Sequence, residues 1–205
     1  MLQYMAECET FMFQDQKAFS DVMKMVRFRQ SEFESSWDGM PAASLGIDFV
    51  GRWVLHFMKR NPKALPVFRR AGLLSVTKRN LKDKMKSSGG LLCIAVRDTN
   101  KMILIDAGRM ILRVWVRLNQ NGFGVQPLSA SSLLVYNAAS GDLNRIFPTP
   151  WVEHFKRGTQ FLRDAFELAD SEMPIWTIRY GLASPIPDGM RTRRRPVDEV
   201  LQIQL

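Results

Sequence analysis

The sequence is poor in cysteine and histidine, the residues on which many structural and catalytic sites depend. It has two of each among 205 residues, which excludes a disulfide framework and a zinc site of the cysteine–histidine type. Cys8 and Cys93 both lie in apolar stretches, so we expect them to be buried and inert. His56 and His154 lie far apart in predicted helices, and we interpret both as ordinary packed or surface residues. No metal site is predicted.

Long apolar runs are also lacking. No stretch approaches the roughly 20 residues that a membrane-spanning helix needs. The first residues, MLQYMAECETFMFQDQ, have no basic segment ahead of an apolar one, so they do not have the form of a signal peptide. Because the few cysteines also suit a reducing compartment, we expect a cytoplasmic protein with no membrane partner.

The familiar catalytic motifs are absent too. The chain has no Walker A loop, no G-x-G-x-x-G fingerprint and no G-x-S-x-G elbow. The glycine pair of GFGVQP follows a predicted helix instead of opening one, so it does not form a dinucleotide fingerprint. The sequence therefore assigns no catalytic side chain.

Basic residues are plentiful. The net charge of +9 favours an anionic partner, whether a small ligand, a nucleic acid or a membrane surface. The positive charge is spread over 58–86, 109–117 and 191–195, and no nucleic-acid-binding module accompanies it. We therefore expect no nucleic acid among the partners, although nucleic-acid binding stays open as an alternative explanation of the charge.

Two arginine groups allow more than one interpretation. Arg109, Arg113 and Arg117 recur every four residues, which fits a solvated helix face, a subunit contact or an anion-lined groove. Four of the five residues in 191–195 are arginine. They form a solvated basic loop, a nucleic-acid tail or a clamp for one phosphate, since a guanidinium matches phosphate oxygens bidentately.

Hydrophobic periodicity predicts an α+β fold with a small, mostly antiparallel sheet packed with helices. The predicted helices span 2–13, 15–28, 48–60, 67–86, 101–121 and 148–169. The predicted strands span 91–98, 125–128 and 173–181, with a further edge strand over 197–205. We interpret 1–205 as one domain, with a helical part over 1–86 and a core over 87–205.

The same periodicity predicts apolar rows on three helices. They are Phe49, Val50, Trp53, Val54 and Phe57 on one side of 48–60; Met110, Val114 and Leu118 on 101–121; and Trp151, Phe155, Phe161, Leu162 and Phe166 on 148–169. The last group supplies core candidates.

Four stretches, in the same order along nearly the whole chain, resemble the nitroreductase family of FMN flavoproteins. DAGRMILRVWVRLNQNGFGVQPLSA (106–130) is similar to the family's dimerisation helix and the turn after it. MPIWTIRYGLASPIPDG (173–189) and RTRRRPVDEVL (191–201) are similar to its closing strand and C-terminal motif. FSDVMKMVRF and SSWDGMPAASLGI, within 19–47, resemble the front of one subgroup.

This resemblance implies a homodimer that binds FMN at the subunit interface, takes hydride from NAD(P)H and reduces a nitroaromatic, a quinone or a similar acceptor. It implies a loop of Pro127, Leu128 and Ser129 beside the flavin ring, with backbone N–H groups directed at the flavin. Gly124 would allow close approach of the backbone. Arg194, helped by Arg191 or Arg193, would hold the FMN phosphate.

The chain departs from the family at its N-terminal side. The family's early RRSxRxF and N-x-Q-P-W motifs, which supply much of its FMN contact, have no counterpart here. We therefore expect an N-terminally truncated nitroreductase-like domain, as part of a longer protein or as a shortened relative. The alternative is a degenerate, non-catalytic dimer of the same fold that acts as a binding or flavin-sequestering module.

Overall fold

The computed structural model describes residues 1–34, 38–141 and 149–182. The chain forms two compact units. The first contains described residues 1–11, 74–141 and 149–182, and the second contains described residues 12–34 and 38–73. The fold is α+β, as the sequence predicts, and is mostly helical with a small antiparallel sheet.

The helices and strands are numbered in chain order. The helices are α1 Leu2–Glu9, α2 Gln16–Met25, α3 Gln30–Glu34, α4 Phe49–Arg60, α5 Leu65–Arg70, α6 Leu73–Lys86, α7 Lys101–Gln120, α8 Val135–Ala139 and α9 Thr149–Phe166. The strands are β1 Val26–Arg27, β2 Met40–Pro41, β3 Gly90–Val96, β4 Phe123–Pro127 and β5 Met173–Leu182. Short 3₁₀ turns cover Phe11–Phe13, Ala42–Leu45 and Pro62–Ala64, and a π-helical turn covers Ala130–Leu134.

The sheet of the first unit has the order β3–β5–β4, and both pairings are antiparallel. The last strand of the described residues is therefore the central one. Helix α7 packs on this sheet, where Ala107 joins Ile94 and Ile175 in one buried cluster. In the second unit, β1 and β2 form only a two-residue parallel pair.

Helix ends follow the local sequence signals. Asp15 accepts a hydrogen bond from the Ala18 N–H at 2.7 Å and so begins α2. Asn100 caps α7 in the same way through the Ile103 N–H at 3.0 Å. After α7, Gly122 has a φ of 80°, so a left-handed glycine ends this helix.

The structure differs from the predicted helices in two places. The helix predicted over 67–86 is two helices, because Gly72 adopts a φ of 94° between α5 and α6. The segment 130–139 is helical, although the sequence analysis predicted no helix there. The edge strand predicted over 197–205 lies outside the described residues.

The apolar rows are less buried than their spacing suggests. Phe49, Trp53 and Phe57 of α4 are exposed, whereas Leu55 and Met58 fill the buried side of that helix. Met110 of α7 is exposed as well. Periodicity identifies an apolar face, but it does not decide whether that face meets the protein interior.

On α9, some of the predicted core residues are buried and others are partly exposed to solvent. Phe155 and Leu162 are fully buried, whereas Phe161 is about half exposed, which corrects its prediction as a core residue. Across the described ranges, no helix is long and apolar enough to cross a membrane.

Candidate functional site

The predicted cofactor-binding residues of β4 lie at one end of the three-stranded sheet. Gly124 pairs in register with Gly181 of the central strand. A Cβ added to Gly181 would lie 3.0 Å from the backbone nitrogen of Gly89, so the close approach of the backbone favours glycine at this position. Gly124 is half-buried opposite it, which places a side-chain-free stretch of backbone just before the predicted flavin loop.

The turn after β4 is fixed by backbone hydrogen bonds to the central strand. The Leu128 N–H donates to the Thr177 carbonyl at 2.9 Å, and the Leu128 carbonyl accepts from the Thr177 hydroxyl at 2.8 Å. The Leu128 side chain is buried in a cluster with Met5, Ala6 and Met85. Backbone and side chain together hold this turn in one position.

The hydrogen bonds of this turn reduce the number of backbone N–H groups that the loop can offer to a flavin. Pro127 has no N–H to donate. The N–H of Leu128 is already committed to Thr177. Of the three loop residues, Ser129 is therefore the one expected to donate a backbone N–H to a flavin. It is half-buried and directly precedes the π-helical turn.

A cluster of buried hydroxyl groups supports the same turn. Ser131, Ser132 and Thr177 are all fully buried. The hydroxyls of Ser131 and Thr177 lie 3.1 Å apart, and the Ser131 hydroxyl also donates to the Leu128 carbonyl at 2.9 Å. The Thr177 N–H donates to the Ser132 hydroxyl at 3.3 Å. Because each buried polar group has a partner, the cluster fixes the turn without the cost of unsatisfied groups.

A carboxylate from α1 completes this support. Glu9 accepts a hydrogen bond from the Ser131 N–H at 2.7 Å and so ties α1 to the start of the 130–139 segment. Burial raises the pKa of Glu9 to about 7, while hydrogen bonds from Ser131 and the Ala130 N–H act in the opposite direction. The sequence gives no signal for this role, because Ser131, the partner of Glu9, is 122 positions away along the chain.

Two half-buried cations lie next to the same strands. Arg179 of β5 donates from Nε to Gln126 Oε1 at 2.7 Å and from Nη1 to the Lys84 carbonyl at 3.1 Å. Burial lowers the pKa of Arg179, and burial together with the nearby Arg179 charge lowers that of Lys84. The predicted cofactor-binding strand β4 thus has positive charge beside it.

A pocket of about 300 Å³ opens between α1 and α9 in the first unit, lined by Met1, Gln3, Tyr4, Glu7, His154, Arg157 and Phe161. The Tyr4 hydroxyl donates to the His154 carbonyl at 3.2 Å, and its ring stacks on Phe161 at 5.0 Å. His154 Nε2 lies 3.9 Å from a Glu7 carboxylate oxygen, and burial lowers the pKa of this histidine. His154 thus packs against Tyr4, as expected of an ordinary packed histidine.

The cysteines fit their expected inert character. Cys8 is fully buried, and Cys93 is half-buried in β3; both are free. Burial raises the pKa of each thiol to about 12, which keeps both as unreactive thiols near neutral pH. No group of three potential metal ligands occurs among the residues that the structure describes.

The arginine row of α7 lies on an exposed face. Arg113 and Arg117 are exposed, and Arg109 is paired with Asp106 at 2.7 Å where both side chains are largely in solvent. A pair this exposed contributes little stability. The other predicted phosphate ligands, Arg191, Arg193 and Arg194, lie outside the described residues. Comparison of the chain with known protein families, with curated proteins and with solved structures found no match.

Proposed function

We propose that this chain is an FMN-dependent NAD(P)H oxidoreductase of the nitroreductase type. The observation that carries the proposal is the rigid turn after β4, at the position where the sequence resemblance expects the flavin loop. The Leu128 backbone and the buried Ser131–Thr177 hydroxyl pair hold that turn in place. A preformed turn costs no ordering on binding, which favours a site for a planar cofactor.

The residues present fit part of an FMN site. Ser129 would offer a backbone N–H to the ring, and Gly124 would let the ring approach the strand. The arginines of 191–195 would hold the phosphate, with Arg194 as the first choice and Arg191 or Arg193 beside it. When bound, FMN would supply hydride transfer between NAD(P)H and a nitroaromatic, quinone or similar acceptor. The protein's own part is to position and desolvate the ring.

The exposed face of α7 supports the proposal of a homodimer. Met102, Ile105, Leu112 and Val116 are each about half or more exposed, at successive spacings of three, seven and four residues. That spacing matches the a and d positions of helices that pack against each other. An exposed apolar row of this length is stabilised when a second copy covers it. The two free cysteines fit a reducing compartment such as the cytoplasm.

One observation favours the alternative of a non-catalytic, flavin-sequestering dimer. Because Pro127 has no N–H and Leu128 donates its own to Thr177, the loop offers fewer donors to a flavin than the family resemblance implies. A protein with this loop could hold FMN loosely without tuning its reactivity. Single-turnover reduction of protein-bound FMN by NADPH or NADH distinguishes the oxidoreductase from the sequestering module. The bound FMN is reduced in the oxidoreductase and stays oxidised in the sequestering module.

Titration of the purified chain with FMN, followed by flavin fluorescence, tests the proposal. The matched variants are Ser129→Ala, which keeps the backbone N–H, and Ser129→Pro, which removes it at a φ of −71° that proline accepts. We expect the proline variant to bind FMN roughly tenfold more weakly, because it loses one neutral hydrogen bond to the flavin. The alanine variant should bind FMN as the parent does. If neither the parent nor its variants bind FMN, the proposal fails.

The phosphate clamp is tested by comparing FMN with riboflavin, which lacks the phosphate. Arg194→Ala should weaken FMN binding by roughly tenfold or more and leave riboflavin binding unchanged, because charge-assisted bonds to phosphate are among the strongest. Equal losses for both flavins would show that Arg194 does not contact the phosphate.

A further inference from the structure

The second unit carries an exposed surface that the proposed flavin site does not use. We define the α4–α5 surface by the outward apolar side chains Phe49, Val50, Trp53, Phe57 and Val67. Phe49 is 75% exposed and Trp53 is 60% exposed. Side chains this large and this open to water are uncommon on a protein surface unless they meet a partner.

The aromatic rings of this surface are arranged in a row. The Trp53 and Phe57 rings are stacked 6.0 Å apart, and the Phe57 ring meets Phe68 of α5 edge-on at 6.0 Å. On the opposite side of α4, Leu55 and Met58 are buried. The helix cannot turn its aromatic row inward without exposing these two residues, so the row stays directed outward.

The surroundings of this row are strongly basic. Residues 49–73 contain six arginines and lysines and no acidic residue. Arg60, Lys63 and Arg70 are exposed, and none of them forms an ion pair within the described ranges. The Arg69 guanidinium donates to the Gln14 carbonyl at 3.0 Å, which fixes the position of one charge beside the row.

We propose that the α4–α5 surface docks onto an anionic phospholipid membrane. Aromatic rings enter the headgroup region, where their apolar bodies and aromatic faces are favoured, while surrounding lysines and arginines meet the lipid phosphates. Such docking needs no membrane-spanning helix, so the lack of a long apolar run in the sequence does not oppose it. The protein would lie on the membrane surface and would not cross the membrane.

Charge distinguishes this occupant from a second copy of the chain. Two copies paired through the same surface would bring their unpaired arginines and lysines together. An anionic lipid surface supplies the opposite charge over an extended area, which matches a basic segment without acids. The charge pattern therefore favours lipid over self-association at this surface.

Sedimentation with phospholipid vesicles tests the proposal. The full chain is mixed with vesicles of phosphatidylcholine alone or of phosphatidylcholine with phosphatidylglycerol. We expect binding to the anionic vesicles at low salt, and at least roughly tenfold weaker binding to the neutral ones and to anionic vesicles in high salt, because screening shortens the reach of the charges.

Two matched variants assign the binding to this surface. Phe49→Ser with Trp53→Ser should reduce vesicle binding by roughly tenfold or more, since it removes the two most open rings. Val76→Ser removes a similarly exposed apolar residue from α6, outside both this surface and the proposed dimer face, and should leave vesicle binding unchanged. Circular dichroism and thermal unfolding establish that both variants remain folded.

Three results would overturn the proposal. They are no binding to anionic vesicles, binding that survives the loss of Phe49 and Trp53, and self-association in sedimentation velocity that disappears with those same two changes. The last would make this surface a contact between copies of the chain. Because FMN binding is measured separately, the proposed enzymatic function can stand when the membrane proposal fails, and the reverse also holds.

Discussion

Glu9 gives the sharpest test of how the turn after β4 is held. Its carboxylate accepts the Ser131 N–H at 2.7 Å, and burial raises its pKa from an ordinary 4.5 to about 7. The folded protein therefore binds more protons at this residue than the unfolded chain between those two values. Protonation of Glu9 therefore contributes its full stabilisation below the pKa of the unfolded chain. This stabilisation is lost as the pH rises through the pKa of Glu9 in the folded protein.

The size of this effect follows from the two pKa values. A shift of this size corresponds to roughly 3 kcal/mol in the free energy of unfolding, of which about 2 kcal/mol is lost between roughly pH 5.5 and pH 8. Glu9→Gln keeps an oxygen that accepts the Ser131 N–H but does not titrate. Its free energy of unfolding should therefore lack this part of the pH dependence.

Urea unfolding at several pH values measures the difference. The stability of the parent minus that of Glu9→Gln should fall by about 2 kcal/mol from roughly pH 5.5 to pH 8, and other titrating groups cancel in the subtraction. Glu153→Gln removes an exposed carboxylate on α9 and is the control. If the parent and Glu9→Gln curves run parallel, Glu9 does not titrate in a buried setting and the reasoning is refuted.

Two further predictions concern packing and assembly. Gly158→Ala should destabilise the fold by about 1–3 kcal/mol, because the added Cβ would lie 2.0 Å from the Tyr4 hydroxyl. The control is Gly108→Ala on α7, whose Cβ meets nothing within 4 Å and which should stabilise the fold by up to about 1 kcal/mol. Thermal and urea unfolding compare the stabilities of the two variants. A destabilisation of equal size in both would contradict the close contact. Leu112→Ser with Val116→Ser should convert a dimer to a monomer in sedimentation velocity, and an unchanged dimer would move the interface away from α7.

The sequence predicts the elements whose signals are local. Asp15 begins α2 and Gly122 ends α7 because a capping carboxylate and a left-handed glycine act over three or four residues. The small antiparallel sheet follows from short apolar runs between turn residues. These features depend on neighbouring residues, so the sequence contains all the information they need.

The parts that the sequence leaves open depend on contacts between distant residues. Nothing near Glu9 indicates that it will meet Ser131, which is 122 positions away. The helical segment 130–139 has few charged or polar positions to mark a face, so its periodicity is weak. On α4 both sides are apolar, and only packing decides that Leu55 is buried while Trp53 is exposed.

For the predicted flavin site too, the sequence indicates some features, and others depend on contacts between distant residues. The family resemblance is what points to the turn at Pro127 and to Gly124 before it, both of which are ordinary turn residues. The commitment of the Leu128 N–H to Thr177 could not be predicted, because it depends on which strand becomes the centre of the sheet. The described structure therefore reduces the expected backbone contacts of the loop to Ser129.

The most direct test of the central claim is a fluorescence titration of FMN with the parent, Ser129→Ala and Ser129→Pro. We predict saturable quenching that is retained in the alanine variant and weakened roughly tenfold in the proline variant. FMN fluorescence that stays equal to that of free FMN with all three proteins would contradict the assignment of this chain as a flavoprotein.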